Sequence, residues 1–445
     1  MIVLFKTLQV ILALSLLILV HEAGHFMWAR IFGIRVDKFY MFFDVGGKRL
    51  FSTRMAWFVK LFPKAASWET EYGIGWLPLG GYCKIAGMID ESMDKEFLST
   101  EPQPWEFRSK PAWQRLIVMA GGVLNNFILA VLVFSGILLG WGRNYIPSDR
   151  PVYVDEVAYD MGFRSGDRIL SMDGRPSDDF FSLQQDLVRR QVRKATVLRG
   201  ADTLDIYVDQ ALMADALRSH GMFDLAIPFT VAAFADSSAN AGSGLEPGDV
   251  IVRAGGVDTP YVQDVRAVFA ASPASSVPVD FVRGADTLST SLRVDASGLV
   301  GIYLQAPEYG HRTYSLASSI PAGAAMAWDN IKGYAMDLRL VATPSTGAYK
   351  SVGSFISIGQ IFPSTWSWYQ FLYILGMLSI MLGVMNLLPI PALDGGHMVF
   401  CLYEMISGRK PSDRFLTVMQ MIGMILLMAL MFLAFGNDFA KLFGI

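Results

Sequence analysis

The residues best suited to chemistry are two histidines and a glutamate in the sequence His-Glu-Ala-Gly-His: His21, Glu22 and His25. They follow an apolar run, 10–20, that has the composition of a membrane-spanning helix. Residues four apart share one face of a helix, so the two imidazoles can bind a single metal ion. Glu22 can then reach a water molecule on that metal, as in zinc sites with a carboxylate base. Such residues are costly inside a membrane without partners, which indicates a function.

A catalytic zinc ion takes a third ligand from the protein, and the sequence offers one beside a second apolar stretch. The chain has five histidines, and His21, His25 and His397 all lie at ends of apolar helices. Asp394 lies in Leu-Asp-Gly-Gly-His, which ends at His397. A lone aspartate there costs about 2.5–3.5 kcal/mol, which a metal would offset. We therefore predict Asp394 as the third ligand. His397 either fixes a ligand carboxylate or satisfies backbone groups near the helix break.

Five further residues are candidates for substrate binding or for support of the site. Asn386 precedes two prolines that interrupt its helix, and its amide could hold a substrate backbone. Gly80 and Gly81 lie in a glycine-rich loop that could hold an unwound substrate strand. Asn125 and Asn126 follow paired glycines in the second apolar span. We expect these glycines and asparagines to pack the helices together, and a direct catalytic role is the alternative.

Composition indicates a mixed chain, with membrane spans and soluble modules. Of 445 residues, 53% are hydrophobic, and the mean hydropathy is +0.38. These values are too apolar for an ordinary soluble protein and too polar for a chain that is all membrane. A net charge of −3 argues against nucleic acid as a partner. Cys83 and Cys401 give no disulfide framework, and the first apolar run lacks a signal-peptide cleavage site, so we expect it to be retained.

Four apolar stretches are long enough to cross a bilayer. They are approximately 7–32, 116–141, 369–388 and 416–435. Lysine and arginine are concentrated in the 33–115 connection and the 408–414 loop, which the positive-inside rule places in the cytoplasm. The N-terminus and the 142–366 segment then lie outside. His25 and Asp394 both fall toward the cytoplasmic ends of their spans, so the two halves of the predicted site share a depth.

Short strands are predicted between the first two spans. The segments 39–43 and 72–85 are apolar but too short and too interrupted to cross a membrane. Non-helical backbone at membrane depth persists only against protein or a water-filled cavity, so we expect a β-loop that dips beside the site. Its edge could pair with an extended substrate. A plain cytoplasmic hairpin is the alternative, because strand signals are weaker than helical ones.

An internal repeat organises the segment 142–306. The sequence Arg-Gly-Ala-Asp-Thr-Leu begins at Arg199 and again at Arg283, and a Gly-Asp pair ends at Asp167 and again at Asp249. Two tandem small modules of strands and one helix each are therefore expected. Their Gly-Asp segments resemble the signature of PDZ domains, which bind extended peptides at a sheet edge and often capture a C-terminal carboxylate. Structural spacers without a ligand are the alternative.

The predicted fold is a polytopic α-helical membrane protein with four transmembrane helices, a membrane-associated β-loop and two tandem PDZ-like α/β modules. An amphipathic helix after the modules places Trp328, Ile331 and Leu338 on an apolar face that we expect to contact lipid. The predicted segments are, in order, the first span at 1–33, the β-loop region at 34–114, the second span at 115–142, PDZ-like modules at 146–216 and 217–306, the amphipathic surface helix at 320–343, the third span at 367–407 and the fourth at 415–436.

These motifs together resemble the site-2 protease family of intramembrane zinc metalloproteases, and within it the bacterial regulator-of-sigma-E protease branch. The resemblance covers nearly the whole chain. It includes H-E-x-G-H, the Pro-Leu-Gly-Gly-Tyr loop at 78–82, the tandem modules, and N-x-x-P-x-P-x-L-D-G-G-H from Asn386 to His397. The chain departs from the branch at 38–68, which looks longer. It also reads Gly-Gly-Val-Leu-Asn-Asn where the family commonly has a Gly-Pro pair.

The resemblance implies one zinc ion per chain, bound by His21, His25 and Asp394, with Glu22 as the base and Asn386 positioning substrate. It implies an enzyme of the bacterial inner membrane that cleaves single-span proteins within the bilayer. Such substrates include anti-sigma factors already trimmed outside and remnant signal peptides.

Two other classes of function fit parts of the sequence. A catalytically silent membrane scaffold could recruit partners through the PDZ-like modules around a structural zinc, but it would need no base at Glu22. A transporter could use polar residues at the midplane, but four spans and large outer modules do not favour one. Loss of turnover in Glu22→Gln with zinc retained would separate the enzyme from the scaffold.

Overall fold

The computed structural model describes residues 2–78, 80–88, 101–177, 179–219, 221–307 and 309–443. The chain divides into two compact units. The first comprises Met1–Gly142, Thr313–Ala342 and Tyr349–Ile445, and the second comprises Arg143–Arg312 and Thr343–Ala348.

Long helices dominate the first unit, and short ones occur in the second. In chain order, the helices of the described residues are α1 (Ile2–Ile31), α2 (Ala56–Leu61), α3 (Ala112–Trp141), α4 (Glu156–Asp160), α5 (Leu183–Arg189), α6 (Met213–Arg218), α7 (Val262–Ala270), α8 (Leu316–Val341), α9 (Phe355–Ile361), α10 (Trp368–Leu387), α11 (Asp394–Ser407) and α12 (Asp413–Phe443).

Strands occur in both units. They are β1 (Val36–Met41), β2 (Arg49–Ser52), β3 (Glu71–Gly75), β4 (Tyr82–Ile85), β5 (Arg143–Tyr145), β6 (Val152–Val154), β7 (Arg168–Met172), β8 (Lys194–Arg199), β9 (Asp202–Tyr207), β10 (Phe223–Leu225), β11 (Phe229–Phe234), β12 (Val250–Ala254), β13 (Val257–Asp258), β14 (Ser276–Arg283), β15 (Asp286–Arg293), β16 (Ile302–Leu304) and β17 (Gly310–Arg312).

Four helices of the described residues are long and apolar enough to cross a membrane, which confirms the predicted number of spans. They are α1, α3, α10 and α12. All four helices begin before the predicted apolar stretches, because helical backbone hydrogen bonding does not depend on an apolar side chain. The predicted third span is two helices. α10 ends at Leu387 and α11 begins at Asp394, because Pro389 and Pro391 cannot donate the hydrogen bonds of a continuous helix.

The helix α3 occupies the centre of the first unit and contacts α1, α8, α10 and α11. Its crossing with α1 is very close, because a Cβ atom added at Gly24 would collide with the backbone of Gly121. Glycines at such a crossing let two helix backbones approach each other. On its other side, Ala130 and Phe134 are fully buried in a cluster with Ile380 of α10.

The prediction that the apolar face of the 320–343 helix contacts lipid is wrong for most of that face. Ile331 and Leu338 of α8 pack against the cluster formed by α3 and α10, and Ala327 is 2% exposed within it. Trp328 is exposed. Helical periodicity identifies an apolar face, but it does not distinguish a lipid neighbour from a protein one.

A four-stranded sheet in the first unit has the order β2-β3-β1-β4. β1 pairs with β3 in parallel and with β4 antiparallel. The predicted strands at 39–43 and 72–85 correspond to β1 and to the β3–β4 pair, whereas β2 was not predicted. The 38–68 region, whose shape the sequence left open, contains β2, α2 and a 3-10 turn at Pro63–Ser67. β4 forms one edge of this sheet and contacts α1.

The second unit repeats one set of contacts. The Arg199 guanidinium donates two hydrogen bonds to Asp167, at 2.7 and 2.8 Å. Arg283 makes the same pair of bonds to Asp249, at 2.8 and 2.7 Å. Both aspartates are buried, and a bidentate pair of this kind satisfies a buried carboxylate. The repeated sequence is therefore a repeated structure.

The predicted boundary at 216 between the two modules is wrong. β10 pairs with β6 of the first repeat, so that repeat extends to Leu225. In the second repeat, β16 pairs with β11 in the same way. A closing strand that returns to the first strand of its module has no local signature, because the pairing is set by residues far apart in the chain.

Candidate metal centre

Three side chains from two helices meet at one point in the first unit. His21 and His25 lie one turn apart on α1, and their Nε2 atoms are 3.2 Å apart. Asp394 is the first residue of α11, and its Oδ2 lies 3.1 Å from Nε2 of His21 and 3.3 Å from Nε2 of His25. His21 is 7% exposed and His25 is 6% exposed. The residues predicted to share a metal are thus brought together from opposite ends of the chain.

This arrangement fits a zinc ion. Tetrahedral zinc with bonds of about 2.0–2.2 Å places its ligand atoms about 3.3 Å apart, which matches the observed separations. Oδ2 of Asp394 is buried. When Nε2 of each histidine carries no proton, this oxygen has no hydrogen-bond donor among the described residues. A buried carboxylate oxygen in this state requires a positive partner. Among the described residues, His21, His25 and Asp394 are the one cluster of His, Cys, Asp or Glu side chains that could hold a metal ion.

The second ring nitrogen of each histidine is also engaged. Nδ1 of His25 is 2.9 Å from the carbonyl oxygen of Val118. A carbonyl only accepts, so Nδ1 carries the proton and Nε2 keeps the lone pair that a metal needs. Nδ1 of His21 is 3.0 Å from the amide nitrogen of Asn126, whose Oδ1 is buried without a partner among the described residues. Half a turn of this amide would let His21 donate to Oδ1 and would fix the same tautomer.

Gly122 provides the space for the two imidazoles. A Cβ atom at this position would lie 2.5 Å from Nε2 of His25 and 2.7 Å from Cε1 of His21. Gly122 is also four residues after Val118 on α3, so the missing side chain opens access to the carbonyl that His25 uses. The paired glycines predicted for helix packing therefore have different roles. Gly121 permits the helix crossing, and Gly122 accommodates the site.

The position of Asp394 is set by its neighbours in the chain. A Cβ atom at Gly396 would lie 2.5 Å from the carbonyl oxygen of Ile390, so the first turn of α11 packs tightly on the proline-containing turn. Farther along α11, Glu404 accepts a hydrogen bond of 2.5 Å from Arg115 of α3. This pair was not predicted. Because a charged residue in an apolar span requires a partner, the presence of Arg115 and Glu404 in apolar segments could have indicated this pair.

Glu22 is half-buried, and the backbone of Cys83 hydrogen-bonds to its carboxylate. Cys83 belongs to β4, so an edge strand of the sheet adjoins the predicted base. Gly81 precedes this strand, and a Cβ atom there would lie 2.8 Å from the side chain of Ile18 on α1. At Gly80, the added atom would instead meet the ring of Phe43. Both glycines let the loop pack closely.

The other predicted residues lie outside the three-residue cluster. Asn125 donates to the carbonyl oxygen of Val20 at 3.2 Å, which is a packing contact between α3 and α1. Asn386 is half-buried in the last turn of α10, and its side chain makes no hydrogen bond to the rest of the described chain. The ring of His397 lies 6.4 Å from that of Phe400 on α11.

Comparison with known proteins agrees with this geometry. The sequence profile of peptidase family M50 matches residues 9–430. A relative from Neisseria meningitidis that carries the name of a zinc metalloprotease is 29% identical, over 98% of this chain and 99% of its own length. Protease RseP of Yersinia pestis is 29% identical over 99% of both chains. The regulator of sigma E protease of Salmonella typhi shows the same identity and coverage. The chain therefore belongs to peptidase family M50, the site-2 protease family of membrane-bound zinc metalloproteases.

Proposed function

We propose that His21, His25 and Asp394 bind the single zinc ion of this protease and that Glu22 is its general base. The observation that carries this assignment is the cluster of three buried ligand atoms, 3.1–3.3 Å apart, beside Glu22. When bound, zinc lowers the pKa of a coordinated water and polarises the scissile carbonyl. Glu22 would take a proton from the attacking water and deliver it to the leaving amine.

Substrate is proposed to bind along β4. An unwound substrate can add a strand to the edge of a sheet through main-chain hydrogen bonds. The hydrogen bond between the Cys83 backbone and Glu22 supports this, because it brings the edge strand next to the base. Gly80 and Gly81 support it by letting the preceding loop pack against α1 and the sheet. Asn386 is proposed to hold the substrate backbone on the opposite side, through an amide that the described residues leave available.

The substrates are proposed to be single-span membrane proteins, either anti-sigma-factor-like proteins already trimmed outside or remnant signal peptides. Names of relatives that refer to regulation of sigma E support the first class. The distribution of basic residues supports an inner-membrane location with the metal centre toward the cytoplasm and the second unit outside. We propose the lipid bilayer as a partner and expect no binding of nucleic acid.

The two repeats of the second unit are proposed to be PDZ-like modules. They would bind newly exposed peptide C-termini or exclude substrates with large outer domains. The repeated Asp–Arg pairs and the return of β10 and β16 to the first strand of each repeat support a shared module fold.

The test is cleavage of a tagged single-span protein by the purified full chain in detergent, with the zinc content of each variant measured. Glu22→Gln is compared with Glu156→Gln, which changes an exposed glutamate on α4. We expect all proteins to carry about one zinc per chain and only Glu22→Gln to lose cleavage, by at least about a hundredfold. Cleavage by Glu22→Gln at the wild-type rate would refute the assignment of the base. A metal content unaffected by Asp394→Leu would refute the ligand set.

A further inference from the structure

An exposed aromatic surface lies within residues 45–69 of the first unit. We call it the aromatic patch and define its rings as Phe51, Trp57, Phe58, Phe62 and Trp68. The ring of Phe58 lies 5.0–6.5 Å from each of the other four, so the rings form one continuous surface. Trp57 is 58% exposed and Phe62 is 51% exposed. Where a protein surface faces water, an exposed apolar area of this kind indicates a binding site.

Basic residues surround the aromatic patch. Between residues 45 and 68 the chain carries lysine or arginine at five positions and no acidic residue. Two of these are used internally, since Arg49 pairs with Glu71 and Arg54 donates to backbone carbonyls. The other three are Lys48, Lys60 and Lys64, which are exposed and make no ion pair within the described part of the chain. The surface is therefore both apolar and cationic.

The aromatic patch is held at the end of a membrane-spanning helix. Glu69, directly after Trp68, pairs with Arg30 in the last turn of α1. The ring of Trp68 lies 6.0 Å from that of Tyr72, which in turn lies 6.0 Å from Phe26 of α1. The end of a span marks the boundary between hydrocarbon and water, where tryptophan is favoured and lysine reaches the headgroups.

We propose that the aromatic patch binds the membrane surface at the end of α1 and that its three exposed lysines contact anionic lipid headgroups. Apolar area covered by cations is complementary to an anionic bilayer surface, whose acyl chains accept the rings and whose headgroups pair with the ammonium groups. The chain runs from the patch into β3, so lipid binding would also stabilise the four-stranded sheet, whose edge strand β4 adjoins Glu22.

The test uses the full-length protein in nanodiscs of phosphatidylcholine alone or mixed with phosphatidylglycerol. Hydrogen–deuterium exchange is measured for peptides that cover 48–64. We expect exchange in the mixed lipid to be at least about fivefold slower, because each lysine near an anionic surface strengthens binding by about that factor. The triple variant Lys48→Gln, Lys60→Gln, Lys64→Gln should lose the difference between lipids. The control triple Arg150→Gln, Arg175→Gln, Arg266→Gln removes the same charge from the second unit and should keep it.

Retained zinc content would establish that the lysine triple folds, and unchanged exchange in β7, β8, β12 and β14 would establish that the arginine triple folds. Equal exchange of the wild type in the two lipids would overturn the proposal for anionic headgroups. Equally slow exchange in a neutral detergent would show that an apolar phase alone covers the patch, and it would overturn the role of the anionic headgroups. The measurement is repeated with Glu22→Gln, so its outcome does not depend on proteolysis.

Discussion

At the scale of single residues, the proposed metal centre depends on Gly122, where an added Cβ atom would face both histidines. A methyl group at position 122 would overlap Nε2 of His25, and moving α3 away from α1 would break the close packing of Gly121 on Gly24. We therefore expect Gly122→Ala to reduce zinc affinity at least about tenfold, the range seen when groups around metal ligands are changed. Zinc content after dialysis against a weak chelator would measure this.

Gly136 is the matched control for that substitution. It lies on the same helix, and a Cβ atom there meets no heavy atom within 4 Å. Gly136→Ala should therefore retain zinc like the wild type. If both alanine variants lost zinc equally, the effect would come from α3 as a whole, and the role given to Gly122 would be wrong.

Adjacent asparagines provide a second test at this scale. Asn126 contacts Nδ1 of His21, whereas Asn125 contacts the backbone of Val20. Asn126→Leu removes the group that fixes the tautomer of His21, so we expect zinc affinity to fall about 10–100-fold. Asn125→Leu should leave zinc affinity close to that of the wild type. Zinc titration with a competing chelator would distinguish the two, and equal effects would contradict the proposed role of Asn126.

At the scale of secondary-structure elements, the buried Asp–Arg pair of the second repeat predicts a dependence of stability on pH. The hydrogen bonds from Arg283 lower the pKa of Asp249 below its ordinary value. A lowered pKa in the folded state means that the stabilisation is complete above the unfolded pKa of about 3.9. It is lost as the pH falls through the folded value. Asp249→Asn should therefore weaken the second repeat most at neutral pH.

To measure this effect, the full chain is exposed to unfolding conditions at each pH. It is then labelled with deuterium at one fixed pH. Peptides from β12 and β14 report the second repeat. Asp258→Asn is the control, because Asp258 is exposed and its pair with Arg253 lies at the surface. A difference between the wild type and Asp249→Asn that grows as the pH falls below 4 would contradict the sign of the effect.

The elements also show how far the sequence could predict the structure. Spans were predictable because a long apolar run has few alternatives to a transmembrane helix. The order β2-β3-β1-β4 was not, because β1 and β3 pair in parallel across an intervening segment that contains α2. The grouping of His21 and His25 was predictable from their spacing on a helix, and Asp394 was predictable as a lone carboxylate beside an apolar stretch. The carbonyl of Val118 was not, because any residue type supplies that group.

At the scale of the whole molecule, the proposed metal ligands come from parts of the chain that are far apart in sequence but belong to one unit. His21 and His25 come from α1 and Asp394 from α11, and all three lie in the first unit. The second unit has its own buried core, which includes Phe229, Ile251 and Phe281. Ligand binding stabilises only the folded structure to which the ligand binds.

Removal of zinc should therefore destabilise the first unit and leave the second unchanged. At a free zinc concentration of about 100 times the dissociation constant, the bound metal contributes about 2.7 kcal/mol to the stability of the first unit. Chelation followed by hydrogen–deuterium exchange should speed exchange in α11 and in the second half of α1, and re-addition of zinc should reverse it. Exchange in β12 and β14 should stay constant. Faster exchange in both units would show that the metal supports the whole chain, and no change in α11 would argue against Asp394 as a ligand.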